Sequence, residues 1–124
     1  MRLSSDTLLF AAIAVAIVAF LIRRVVVARV RSAQARAAVA KGAKLVDVRT
    51  PGEFSSGHLD GAVNIPLDQL SRRHGELGSK KRPVVVYCHS GSRSAMAART
   101  LQVQGFEEVI DLGPMWAWGA AKGR

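Results

Sequence analysis

The sequence predicts a small α/β domain with a mostly parallel sheet flanked by helices, preceded by one N-terminal transmembrane helix. Beyond residue 40, short β-type segments alternate with helix-type segments, an order typical of parallel sheets with right-handed crossovers. The run VVVY at residues 84–87 is continuously apolar, as in a strand buried on both faces. From Leu8 to Ile22 the chain carries no polar side chain. The 124 residues therefore allow one small domain beside one apolar helix.

The N-terminal apolar run predicts a membrane-spanning helix over about residues 7–28, within an anchor assigned to residues 1–31. This length approaches the roughly 20 residues that a helix needs to cross a bilayer core. Arg23 and Arg24 follow the run, where long side chains can reach the headgroups. The alternative is a secretory signal peptide with an A-x-A cleavage site at residues 33–35, but that site lies far beyond the end of the run.

Positive charge is concentrated beside the anchor. Residues 1–44 hold eight Lys/Arg against one acid, a net charge of +7, and the remaining residues contribute only +2 of the total of +9. This placement favours phospholipid headgroups as partners and disfavours nucleic acid. The excess of arginine after the apolar run predicts a single-pass protein of the cell membrane, with its domain on the cytoplasmic side.

The soluble domain is assigned to residues 32–124. In chain order its predicted elements are a helix over 32–40, a strand over 44–48, a short helix capped by Thr50, a strand over 62–65, a surface helix over 67–74, a strand over 84–87, a helix over about 93–104 and a strand over 108–112. Trp116 and Trp118 near the end of the chain could line a substrate pocket, but packing in the core or at its edge is the prediction.

Cys88 is the single cysteine, so an internal disulfide is excluded. It ends a predicted buried strand, and a Ser/Gly loop then leads to Arg93 at the start of a helix. Backbone N–H groups of such a loop and the positive end of the helix can converge on one anion. We therefore expect a stabilised thiolate and a reactive cysteine, with Gly91 supplying a positive φ.

Three motifs carry a resemblance to a known family. The sequences LVDVRTPGEF at 45–54, GHLDGAVNIP at 57–66 and YCHSGSRS at 87–94 resemble the signatures of single-domain rhodanese-like sulfurtransferases. The resemblance covers about residues 36–119 and implies a rhodanese α/β domain. One departure is Gly113-Pro114-Met115, which replaces the more usual double glycine and alters the rim of the expected pocket.

This resemblance implies a sulfurtransferase that moves sulfur from a thiosulfate-like donor to a thiol or protein acceptor through a persulfide on Cys88. The substrate-binding residues would be His89, Ser90, Gly91, Ser92, Arg93 and Ser94, and the supporting residues Asp47, Arg49 and Glu53. The spacing along the chain allows Arg49 and Glu53 to meet across the capped turn. No cofactor is expected, and no metal, because the three histidines and one cysteine show no ligand spacing.

The sequence leaves two other functions open. A rhodanese fold can serve as a membrane-tethered binding module without turnover, although the presence of Cys88 and Arg93 disfavours this. The fold also resembles that of phosphatases whose catalytic loop is C-x5-R, which leaves a phosphatase or arsenate reductase as the second alternative. In this sequence only four residues separate Cys88 from Arg93. The shorter loop suits one sulfur atom better than a phosphoryl group.

Overall fold

The computed structural model describes residues 2–121 and contains a four-stranded parallel sheet. Its strands are β1 (Lys44–Asp47), β2 (Val63–Asn64), β3 (Val84–Cys88) and β4 (Val109–Pro114), in the spatial order β2-β1-β3-β4. The helices are α1 (Ser5–Ala40), α2 (Pro51–Ser55), α3 (Leu67–Arg73) and α4 (Ser92–Val103), with 3-10 helices at His74–Leu77 and Met115–Ala121. The predicted α/β fold with a parallel sheet is confirmed. The last three residues of the predicted domain, 122–124, lie outside the described residues.

Strand β3 lies at the centre of the fold. It pairs with β1 on one side and β4 on the other, and all five of its residues are buried. This accounts for its unbroken apolar sequence, since neither face meets solvent. The strand therefore delivers its last residue, Cys88, from the rigid middle of the sheet.

Two apolar cores cover the two faces of the sheet. On one face, Val84 and Val86 of β3 pack with Leu101 of α4 and Leu70 of α3. On the other face, the core includes Val85 and Tyr87 of β3 with α1 and the second 3-10 helix. Ala97 and Leu101 are fully buried and form the face of α4 that packs on the sheet.

Helix α1 runs without interruption from the apolar N-terminal segment into the domain. It is long and apolar enough to cross a membrane, and the apolar window that meets this criterion has no buried residue. Its C-terminal turns pack on the domain, where Ser32 and Ala35 are fully buried. The Arg36 Nε–H and the Ser32 hydroxyl both donate to the Trp118 carbonyl, at 2.8 and 3.1 Å. The predicted division at residue 31 falls inside this continuous helix and remains a prediction.

The two tryptophans differ in their surroundings. Trp118 is partly buried against the core and stacks on the Arg36 guanidinium, 4.7 Å from its ring centre. Trp116 is 66% exposed, so the predicted packing in the core or at its edge is wrong for this residue; it borders a pocket instead. The 3-10 helix turns Ala117 inward, fully buried, and its three-residue turn directs the flanking residues away from that position.

Candidate active site

The carboxyl ends of the strands bring the predicted site residues to one edge of the sheet. Asp47 ends β1, Cys88 ends β3, and Pro114 ends β4 in register with Cys88. The chain passes from β1 outward to β2 and then crosses to β3 on the other side. Ligands of open parallel sheets bind at such a reversal of strand order, at the carboxyl edge. The fold therefore places Cys88 where this architecture forms sites.

The Cys88 side chain lies in the curl of the loop between β3 and α4. The Gly91 N–H donates to Cys88 Sγ at 2.9 Å, and α4 begins at the next residue. Cys88 is fully buried behind this loop. A backbone donor and the positive end of a twelve-residue helix both favour negative charge on the sulfur. This geometry suits a nucleophilic thiolate and an anionic persulfide.

Gly91 determines the shape of the loop. Its φ of +107° lies in the left-handed region, which costs residues with a Cβ about 1–2 kcal/mol. A Cβ at this position would lie 3.6 Å from Pro114 Cδ. The Ser94 hydroxyl also donates to the Gly91 carbonyl at 3.0 Å. The loop is thus fixed both by its backbone conformation and by the strand that follows α4.

We expect Gly91→Ala to lower sulfur transfer at least about tenfold, because a loop forced out of the left-handed region moves the N–H that faces Cys88. The matched control is Gly52→Ala, which has no left-handed φ and no atom within 4 Å of the added Cβ. Cyanide-dependent thiocyanate formation from thiosulfate would measure both variants. Equal activities would contradict this assignment of the loop.

The other loop residues divide into exposed and buried positions. His89, Ser90 and Ser92 are exposed, whereas Ser94 is fully buried. The exposed side chains are available to an incoming ligand, whereas Ser94 holds the loop from inside. Their predicted roles in substrate binding remain predictions.

Arg93 is bound by an acid that the sequence did not pair with it. Its guanidinium donates to both carboxylate oxygens of Glu53, at 2.6 and 3.0 Å. The spacing allowed Glu53 to meet Arg49, but the ion pair that Glu53 forms is with Arg93. Glu53 occupies the third position of α2, where it completes the Thr50 capping box and faces the loop. The hydrogen bonds from Arg93 lower the pKa of Glu53 to about 2.

Arg49 turns instead toward the end of β1. Its guanidinium donates to Asp47 at 2.7 Å and to the Gly57 carbonyl at 2.7 Å. Asp47 is fully buried and Arg49 is 4% exposed. Hydrogen bonding to Asp47 raises the pKa of Arg49. The three supporting residues therefore take part in two separate ion pairs, Asp47–Arg49 at the end of β1 and Glu53–Arg93 beside the loop.

The Glu53–Arg93 pair predicts an acid-dependent loss of stability. The folded-state pKa of about 2 lies below the ordinary value of 4.5, so the carboxylate stabilises the fold above pH 4.5 and this contribution disappears as pH falls toward 2. We expect wild type to exceed Glu53→Gln in stability at pH 6, with the difference shrinking below pH 4.5. Denaturant unfolding of both proteins across this range would test it. A pH-independent difference would contradict the pair.

Helix α1 borders a pocket beside the loop between β3 and α4, a contribution that the sequence did not predict. A pocket of about 740 Å³ lies between α1 and the loop, bordered by Ser90, Trp116 and α1 residues within 20–31. The helix face that lines it includes Phe20, Arg24, Ala28 and Arg31. Intervals of three or four residues relate these positions to each other and to the buried Ala35. This helical spacing could have identified the face of α1 that turns toward the domain.

Comparisons with known proteins identify the family. The family model of the rhodanese-like domain matches residues 31–120 of this sequence. The chain belongs to the rhodanese-like family. As a rhodanese-like domain it resembles a rhodanese from E. coli solved with anions, with a TM-score of 0.59 and 31% identity, over 61% of this chain and 91% of that one.

Of two curated relatives of this rhodanese-like chain, one is uncharacterized and the other is named for an enzyme activity. The uncharacterized protein YqhL of Bacillus subtilis is 47% identical over 62% of this chain and 61% of its own length. The chain thus spans less than two thirds of YqhL. The thiosulfate sulfurtransferase GlpE of Shewanella oneidensis is 40% identical over 66% of this chain and 81% of its own. The relatives therefore include proteins named for sulfur transfer.

Proposed function

We propose that this protein is a membrane-tethered sulfurtransferase that carries sulfur as a persulfide on Cys88. The observation that carries the proposal is the Cys88 thiol at the end of the central strand, receiving the Gly91 N–H at 2.9 Å beside the start of α4. The relatives named thiosulfate sulfurtransferases support the same chemistry.

The reaction has two steps. The Cys88 thiolate attacks the outer sulfur of thiosulfate; the S–S bond of the donor breaks and its electron pair leaves with sulfite. The resulting persulfide then gives its outer sulfur to a nucleophilic acceptor such as cyanide or a thiolate, which regenerates the Cys88 thiolate. No electron is gained or lost overall. The Gly91 N–H and the end of α4 stabilise the anionic sulfur in both steps.

The ion pairs Glu53–Arg93 and Asp47–Arg49 have positioning roles in this proposal. Both Glu53 oxygens bind Arg93, so Arg93 holds the first turn of α4 against α2 and its charge is balanced. Asp47 and Arg49 stabilise the end of β1 next to β3. In this proposal the Gly91 N–H and the end of α4 face the thiolate, while the charge of Arg93 is balanced by Glu53.

Intact mass measurement tests the persulfide. The full-length protein in detergent micelles is incubated with thiosulfate, freed of the donor and measured before and after cyanide. We expect one added sulfur atom per chain, and its removal by cyanide. A mass unchanged by thiosulfate would contradict the proposed function.

The tether rests on α1, whose apolar N-terminal part remains exposed in the structure. The arginines that follow its apolar segment support a domain on the cytoplasmic side, by the positive-inside rule. Protease added to intact cells should leave the domain uncut, and protease added to opened cells should digest it. Digestion in intact cells would overturn the proposed orientation.

A further inference from the structure

The pocket between α1 and the catalytic loop has a composition that selects for one kind of ligand. We name it the anchor pocket and define it by Phe20, Arg24, Ala28, Arg31, Ser90 and Trp116. Its volume of about 740 Å³ lies in the range of small-molecule sites. Its walls combine apolar side chains with arginines, and no acidic residue borders it among the residues described. Such a lining suits an anion that carries an apolar group.

The position of the anchor pocket connects it to the reaction centre. Ser90 borders the pocket and lies in the loop two residues after Cys88. Pro114, which also borders it, pairs in register with Cys88 at the end of β4. A ligand in the pocket therefore lies against the loop that holds Cys88. Cys88 itself is buried and does not border the pocket, so the donor sulfur must pass Ser90 to reach Sγ.

The charge of the anchor pocket comes from α1. Arg93, the cation of the loop, is already held by Glu53, whereas Arg23, Arg24, Arg29 and Arg31 all border the pocket. Anions approaching the loop therefore meet the arginines of the anchor helix. In the proposed span of residues 7–28, Phe20 lies at the depth of the lipid chains and Arg31 beyond them at the headgroups. The pocket thus continues from the lipid chains to the catalytic loop.

We propose that the anchor pocket binds an amphiphilic sulfur donor, an anionic thiosulfonate-type group attached to an apolar chain, which enters from the membrane. The proposal rests on the proposed sulfurtransferase function and specifies its substrate class. The Cys88 thiolate attacks the terminal sulfur of R–SO2–S⁻, the S–S bond breaks, and its electron pair leaves with the sulfinate R–SO2⁻. The apolar chain lies between Phe20 and Trp116, and the anionic group lies toward Ser90 and the arginines.

The test compares donors of different chain length with the full-length protein in phosphatidylcholine vesicles. The measured quantity is the ratio of kcat/KM for octanethiosulfonate to kcat/KM for methanethiosulfonate. Ala28→Trp fills the pocket, and Ala12→Trp adds the same bulk to the same helix outside it. Partitioning of the donors into the vesicles is the same for both variants, so it cancels in the comparison.

We expect the octyl-to-methyl ratio of Ala28→Trp to fall at least about tenfold below that of Ala12→Trp, which is the effect of leaving two or three methylenes unburied. A second pair avoids added bulk: Phe20→Ala removes a wall of the pocket, and Phe10→Ala removes an exposed phenylalanine elsewhere on α1. Phe20→Ala should lower the ratio several-fold, and Phe10→Ala should not. This second pair decides the question if Ala28→Trp fails to fold.

Equal ratios within both pairs would overturn the anchor pocket as a donor site. Occupation of the pocket by phospholipid alone would give that result, because the donor chain would then lie elsewhere. Failure of the sulfurtransferase function is distinguishable, since wild type would then transfer sulfur from neither methanethiosulfonate nor thiosulfate. Transfer from both without any difference between matched variants would remove only the anchor-pocket proposal.

Discussion

Cys88→Ser is expected to lower sulfur transfer from thiosulfate to cyanide at least about a thousandfold, as removal of a covalent nucleophile does in other enzymes. Cys88 is the single cysteine of the chain, so no neighbouring thiol can take over its reaction. A serine hydroxyl is nearly the same size and can accept the Gly91 N–H that now reaches Sγ. The variant therefore keeps the loop and removes the sulfur chemistry.

Circular dichroism and denaturant unfolding of Cys88→Ser supply the control, because Cys88 is buried within the core on the α4 side of the sheet. Cys88→Ala gives an independent variant without a hydroxyl group. Transfer above about one tenth of the wild-type rate in either folded variant would place the nucleophile elsewhere and contradict the covalent mechanism.

Asp47→Asn is expected to have the largest effect on stability, a loss of about 3–5 kcal/mol, the usual consequence of removing one partner of a buried ion pair. Asp47 accepts hydrogen bonds from the Arg49 backbone N–H and from the Arg49 guanidinium. Asparagine keeps one acceptor oxygen but removes the charge, so a guanidinium that is 4% exposed stays charged without a carboxylate beside it. Its other described partners are the Gly57 carbonyl and the Tyr87 ring, and both are uncharged. The end of β1 would then lose its support beside β3.

Urea unfolding of the full chain in detergent micelles measures this effect. Asp60→Asn is the matched control, since Asp60 is exposed and the substitution removes the same charge. We expect Asp60→Asn to unfold close to wild type. Equal stability of the two variants would show that the Asp47–Arg49 pair does not hold the edge of the sheet.

Local sequence signals were sufficient for most of the fold. The run VVVY predicts the central strand because burial on both faces removes polar positions, and the structure confirms β3 there. The Thr50 capping box was predicted from four residues, and both of its hydrogen bonds are present. Strand limits were less accurate: β2 contains two residues where four were predicted, and β4 extends through Pro114, two residues beyond its predicted end. Pairing across the sheet sets these limits, and local patterns do not contain it.

Contacts distant in sequence explain the errors at the site. Glu53 pairs with Arg93, forty positions away, whereas a local pattern offers only Arg49 as its neighbour. Arg49 turns back to Asp47 because burial of a guanidinium requires a carboxylate close by. Trp116 was expected to pack in the core or at its edge because it belongs to an aromatic pair near the end of the chain, but the turn of the 3-10 helix exposes it beside the anchor pocket. The partners of Glu53 and Arg49 and the exposure of Trp116 depend on the folded chain, so residue types alone do not predict them.

The fate of the two sulfur atoms of thiosulfate decides whether Cys88 carries a persulfide. Full-length protein is incubated with thiosulfate carrying radioactive sulfur either at the outer or at the inner position. We expect the outer label to stay on the protein, one atom per chain, and to leave as thiocyanate when cyanide is added, while the inner label is released as sulfite. Inner label retained on the protein, or outer label retained equally by Cys88→Ser, would contradict a persulfide on Cys88.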